Sequence, residues 1–214
     1  ISEFKKLPDR ILFDDIMQHR YITPQCLIVT TNYSKPYFQD HLLPLGRLRE
    51  SPKQIKRAQI ILVNKCPENL SIKDQTLFIN KIKILAEKRV YFTTIAYENN
   101  LKNKLKSINL NSIKNSFLLI TGIANPEYLV NFLNKKEFNF LHLKFPNHHN
   151  FKENEIKEIK RQQKGRKIIT TEKDFGRLES FFTSNELFYI PIKLKFIGDG
   201  KENQFKTYLE SLLI

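Results

Sequence analysis

Two adjacent carboxylates, Asp14 and Asp15, lie in the stretch ILFDDIMQHR at residues 11–20, and Gln18, His19 and Arg20 follow closely. Neighbouring carboxylates at the end of an apolar run can hold Mg²⁺ directly or through its water shell. That ion takes one or two carboxylates and fills its other positions with water and phosphate oxygens. A helix N-cap beside a surface acid would have the same composition. Further along, HLLPLGRLRE places Arg47 and Arg49 on one side of an extended segment, with Glu50 beside them. Guanidinium groups so spaced can make bidentate contacts to phosphate or carboxylate, and a solvated surface loop would look alike.

Three other stretches carry reactive side chains. PNHHNF (146–151) offers His148 and His149, and a histidine at a strand end can tune a general base, touch a phosphate or simply cap a turn. The further ligands of a zinc-type centre are missing from its neighbourhood. Asn64-Lys65 resembles the start of the base-reading N-K-x-D element, but Cys66 and Pro67 follow and the Asp is absent. TTEKD (170–174) sets two hydroxyls and three charges where they can meet a ligand or begin a helix. None of the six glycines forms G-x-x-x-x-G-K-S/T or G-x-G-x-x-G, so no phosphate-cradling loop is encoded in these residues.

The elements that must position these groups alternate along the chain. Apolar runs at 11–15, 26–31, 60–65, 90–96, 116–122, 138–145, 167–171 and 187–197 predict strands. Pro191 argues for an edge or linker position in the last of them. Helices are expected from Ser71 and Asp74 to about Lys88, and from Asn125 and Pro126 onward. Others should run from Asn150 and Glu153 to a stop at Gly165, near 175–182, and over 201–213. Pro44 and Pro52 mark an ordered, non-helical segment, and the polar Asn/Lys stretch 98–115 predicts a mobile loop. Such alternation implies an α/β fold with a mainly parallel sheet and helices on both faces. Ligands of these sheets collect at the carboxyl ends of strands, which is where the motifs above would fall.

Bulk composition narrows the function classes. A chain of 214 residues with 41% apolar content, 17 Phe and 8 Tyr can bury a core and is not a disordered protein. No run of 18 apolar residues predicts a membrane-spanning helix, and Lys5-Lys6 is not followed by the apolar segment of a signal peptide. The first residue is Ile, so the chain reads as processed or as part of a longer protein. Cys26 and Cys66 read as ordinary reduced thiols. The net charge of +14 is spread along helices. It favours a membrane surface or an anionic substrate over nucleic acid, for which no helix-turn-helix, zinc or RRM signature exists.

Taken in order, DDxxQHR, LLPxGRLRE, KRAxIIxVxKCP, LLITGIANP, FPxHHxF and TTEKD resemble one family from about residue 8 to the C-terminus. That family is tetraacyldisaccharide 4′-kinase, the lipid A kinase of Gram-negative bacteria, and TTNYSKPYFQD resembles its Bacteroidetes branch. The resemblance implies transfer of the ATP γ-phosphate to the 4′-hydroxyl of tetraacyldisaccharide 1-phosphate, with ATP and Mg²⁺ as cofactors. It implies the C-terminal part of a P-loop kinase-like, two-domain protein. On that basis 1–27 is a remnant of the kinase domain with its Walker-B-type strand, 28–186 the C-terminal α/β domain, and 187–214 a linker strand and helix returning to the first domain. By the same resemblance Asp14 and Asp15 hold Mg²⁺ with help from Glu50, Gln18, Arg47 and Arg49 meet the nucleotide, and His148 supports the catalytic base. Partners would be the lipid precursor, ATP and the cytoplasmic face of the inner membrane, with no nucleic acid, for a peripheral monomer. The family's P-loop, acidic base motif and amphipathic docking helix lie upstream and are expected to be missing here. Ile16 and Met17 stand where the family has Gly and Phe, and Asn147 where it has Asp. These departures leave open a non-catalytic relative that binds nucleotide or lipid.

Overall fold

The computed structural model describes residues 8–82, 89–113 and 116–213. In chain order its elements are β1 (Ile28–Asn32), β2 (Ile60–Asn64), α1 (Ile72–Ile82), β3 (Arg89–Tyr97), β4 (Asn100–Lys102) and β5 (Ser107–Asn109). Next come β6 (Phe117–Thr121), α2 (Glu127–Lys135), β7 (Phe140–Lys144), α3 (Glu153–Gln163) and β8 (Ile168–Thr171). The chain finishes with α4 (Glu172–Leu178), β9 (Leu187–Ile190), β10 (Ile192–Phe196) and α5 (Lys201–Leu212). Contacts divide the chain into two units, Ile1–Ile95 with Lys195–Ile214, and Ala96–Leu194. These divisions fall elsewhere than the ranges 1–27, 28–186 and 187–214 expected from sequence.

The first unit holds a four-stranded sheet in the order β1-β2-β3-β10, with β1, β2 and β3 mutually parallel. The run IILV at its centre is apolar because both faces are covered. Ile61 and Val63 join Ile55, Phe78 and Phe92 on one face. Ile60 and Leu62, at the alternate positions, pack with Tyr91 under Phe205, Tyr208 and Leu209 of α5. The Ser71 hydroxyl opens α1 by accepting from Asp74 N at 3.1 Å. The expected end of this helix near Lys88 lies outside the described residues.

The second unit is a six-stranded sheet ordered β5-β4-β9-β8-β6-β7. β9, β8, β6 and β7 run parallel, while β4 pairs antiparallel with β5 and β9. Period two again sorts the core: Phe117 and Leu119 pack with Leu129 and Leu133 of α2, and Leu118 and Ile120 with Ile156 and Ile159 of α3. Leu119→Ala removes a fully buried side chain. It should destabilise the protein by about 2–5 kcal/mol, read as a lower urea midpoint with an unchanged slope.

The α/β class expected from sequence holds, with two sheets in place of one. Four local expectations are corrected. Residues 11–15 form no strand: Ile11, Leu12 and Phe13 are exposed, and the described residues give this stretch no ladder partner. Within the Asn/Lys stretch, residues 100–109 form an ordered hairpin, because Asn103 Oδ1 accepts from Leu105 N and Lys106 N while its Nδ2 donates to Ser184 O and Leu187 O. Residues 187–197 break at Pro191 into strands of different sheets. The helix starts shift: Glu155, rather than Glu153, reaches back to Lys152 N, and α4 begins directly after β8 with Thr171 as its cap.

Candidate functional site

In the first unit, a turn and a loop bring most of the predicted residues together. Asp15 has φ +51, and His19 N donates to Ile16 O at 2.8 Å to close the turn. A short Asp side chain tolerates this left-handed backbone better than a β-branched residue would. Ile16 is not among the residues with positive φ, so Ile at the position where the resemblance has Gly carries no such strain. Asp15 Oδ2 accepts from Arg49 Nη1. The Arg49 guanidinium first, and Gln18 second, hold the Asp15 carboxyl below the usual carboxylate range. Asp14 beside it is exposed.

Glu50 is held by a fork of Arg20, Nε to Oε1 and Nη2 to Oε2, both at 3.4 Å. Arg57, at the end of the short 3₁₀ turn Pro52–Arg57, stands 4.0 Å away on the same carboxylate and donates to Met17 O at 2.9 Å. Asp15, Gln18, Arg47, Arg49 and Glu50 thus border one cavity of about 270 Å³, floored by Val29 and Thr30 of the edge strand β1. It lies along that strand rather than at the carboxyl ends of several.

The loop that presents the arginines is built on Asp40. Its Oδ1 accepts from His41 N at 2.9 Å and Arg47 N at 3.2 Å, and its Oδ2 from Arg47 Nε at 3.1 Å. Those two backbone N–H groups, more than the guanidinium, depress the Asp40 carboxyl. Gly46 makes the closure feasible, since a Cβ there would stand 2.2 Å from His41 O and 2.4 Å from Asp40 Oδ1. Gly46→Ala should therefore open the loop and cost about 1–3 kcal/mol in urea unfolding. Unchanged stability would contradict this account of the loop.

His148 lies in the second unit, where three sequence motifs meet at the ends of β6, β7 and β8. Its backbone has φ +61, and its N–H donates to Gly122 O at 3.0 Å. The exposed ring meets Lys173 Nζ at Nε2, 2.9 Å, and Arg177 Nη2 at Nδ1, 3.2 Å. Behind it Asp174 is wholly buried, accepting from Gly122 N and the Thr171 hydroxyl at 2.8 Å each and from Arg177 Nη1 at 3.3 Å. A Cβ on Gly122 would meet Asp174 Oδ1 at 3.0 Å, so glycine permits this approach. His149, by contrast, is structural: it stacks on Phe145 and bonds Glu155 at 2.9 Å. Asn64 is likewise structural, accepting from the buried Thr93 hydroxyl at 2.7 Å. The two cysteines are free, Cys66 buried and Cys26 half-buried.

The sequence pattern of the tetraacyldisaccharide-1-P 4′-kinase family matches residues 2–213. The chain belongs to that family. A tetraacyldisaccharide 4′-kinase of Flavobacterium johnsoniae is 40% identical over 192 residues, covering 89% of this chain and 56% of its own length. One from Bacteroides fragilis is 32% identical over 213 residues, covering 90% and 56%. A crystal structure of LpxK from Aquifex aeolicus, described as in complex with ATP, aligns with a TM-score of 0.63 at 17% identity over 94% of this chain and 56% of that one. This likeness establishes the α/β fold. The chain therefore spans a little over half the length of the 4′-kinases it matches.

The sequence motifs singled out the Asp pair, the Arg loop and His148 but not the side chains that pair with them. Arg177 carried no motif, and Arg20 and Arg57, though they fall inside DDxxQHR and KRAxIIxVxKCP, had no assigned role. One signal was available, Arg177 standing one helical turn after Asp174, a spacing that pairs opposite charges. Among the described residues no group of three or more His, Cys, Asp or Glu forms a metal centre.

Proposed function

We propose that this chain is the larger part of a kinase that transfers the γ-phosphate of ATP to the 4′-hydroxyl of tetraacyldisaccharide 1-phosphate. The family match over residues 2–213 carries the reading. Phosphoryl transfer needs positioning and charge neutralisation more than covalent chemistry, and acids with arginines are the parts it uses. Asp15 and Arg49 are mutual stand-ins here: the guanidinium occupies the place of a cation, the carboxylate that of a phosphate oxygen. On this proposal an arriving nucleotide exchanges the pair, with Arg49, Arg47 and Gln18 turning to its phosphates.

Asp14 and Asp15 fit Mg²⁺ shared with phosphate, because that ion needs only one or two carboxylates and not a protein cage. Bound there, it would neutralise charge on the phosphates. Glu50 holds Arg20 and Arg57 here, so it would join the ion as a carboxylate shared with those arginines. His148 is assigned support of the catalytic base from the family pattern. Radiolabelled ATP with the disaccharide in mixed micelles tests the reading. A protein of the relatives' full length containing this chain should label the lipid, and no labelling would refute it.

The proposed place of work is the cytoplasmic face of the inner membrane, as a peripheral monomer. Among the described residues no helix is long and apolar enough to cross a membrane. The net charge of +14 suits an anionic lipid surface. Binding to phosphatidylglycerol vesicles is expected at low salt and should weaken as salt screens it; equal affinity for neutral vesicles would count against the electrostatic part.

A further inference from the structure

Two cationic side chains converge on one imidazole. Lys173 Nζ faces His148 Nε2 at 2.9 Å and Arg177 Nη2 faces Nδ1 at 3.2 Å. Both neighbours are donors, whereas a neutral imidazole has a single accepting nitrogen. Only one contact can be a hydrogen bond at a time, so the cluster is short of an acceptor. Among the described residues the carboxylate in contact, Asp174, is fully buried and already accepts from Gly122 N, Thr171 and Arg177 Nη1. It fixes Arg177 from behind without covering the exposed face. The touching groups thus comprise two cations against one buried anion, on a frame pinned by the His148 N–H to Gly122 O bond.

We propose that Lys173, Arg177 and His148 form a binding site for a terminal phosphate group, with Asp174 as the positioning residue that aims Arg177. An oxyanion between the cations supplies the missing acceptor, with Arg presenting a planar fork and Lys a point charge. The choice of phosphate over other anions rests on the kinase reading, in which the nucleotide and the sugar 1-phosphate both end in a phosphate group, an anhydride in the first and a monoester in the second.

The test titrates the protein with inorganic phosphate, then ATP, then glucose 1-phosphate, following the His148 ring and the Gly122 amide by NMR. Saturable shifts at both reporters are expected with phosphate, and whichever of ATP and glucose 1-phosphate binds more tightly identifies the source. Lys173→Ala and Arg177→Gln should each weaken binding by about tenfold. Arg177→Lys should recover part of the loss, and Lys157→Ala, an exposed charge on α3, should change nothing. Thermal unfolding of the Lys173→Ala protein checks that it is folded. Shifts spread over the lysines at large, or unaltered affinity in folded Lys173→Ala, would overturn the site. Phosphate binding here without lipid phosphorylation by the full-length protein would uphold the site and refute the kinase reading. Intact phosphorylation with no phosphate at His148 would refute the site alone.

Discussion

On the proposed function, Asp15→Asn in the full-length protein is expected to lower the turnover number for lipid phosphorylation by about a hundredfold or more, the scale of losing one preorganised charge at a reacting phosphate. The substitution keeps the shape of the side chain and removes its charge. Asp15 is exposed and its φ of +51 is equally open to Asn, so the turn and the fold should persist. Arg49 loses its partner and becomes free to hold nucleotide phosphate. The expected signature is therefore a collapse in turnover with ATP affinity unchanged or tighter. Steady-state kinetics over a range of ATP and Mg²⁺ concentrations separates these terms. A rise in KM with turnover intact would show that Asp15 only helps to bind nucleotide, and near-normal kinetics would remove it from the site.

The second large effect is on stability. Asp174→Ala should cost about 3–5 kcal/mol, the range for removing one member of a buried charge pair. Asp174 is fully buried and satisfies Gly122 N, the Thr171 hydroxyl and Arg177 at once. Its loss leaves a buried backbone donor unpaired and a half-buried guanidinium without its counterion. Asp174→Asn keeps an acceptor for Gly122 N and should cost less. Urea unfolding of both variants provides the check. An Asp174→Ala protein as stable as the parent would mean that the junction of the three motifs is not held through this carboxylate.

Much of the fold was legible because period and turn chemistry act locally. IILVN and FLLIT announced strands buried on both faces, and Ser71 marked a helix start that its hydroxyl indeed caps. What could not be read depends on partners distant in sequence. ILFDD has a strand's composition but no neighbour to complete its ladder among the described residues. Stretch 98–115 looked mobile because Asn and Lys are polar. Yet Asn103 spends its amide on backbone groups of residues 184 and 187, far along the chain.

The site divides along the same line. Asp15, Gln18, Arg47, Arg49 and Glu50 were found through their motifs, and the structure gathers them around one cavity. Arg20 pairs with Glu50 and Arg177 with His148 across about thirty residues of chain, separations no short motif spans. Ile16 shows the converse: it stands at a Gly position of the family pattern, but the left-handed residue is its neighbour Asp15.

This chain is proposed to belong to a working 4′-kinase. The most direct measurement is the phosphorus NMR spectrum of the lipid recovered after incubating the full-length protein with ATP, Mg²⁺ and tetraacyldisaccharide 1-phosphate. A second phosphate monoester coupled to the 4′ carbon proton, with ADP formed in equal amount, is predicted. ADP release with the lipid unchanged, or phosphate placed on another hydroxyl, would contradict it.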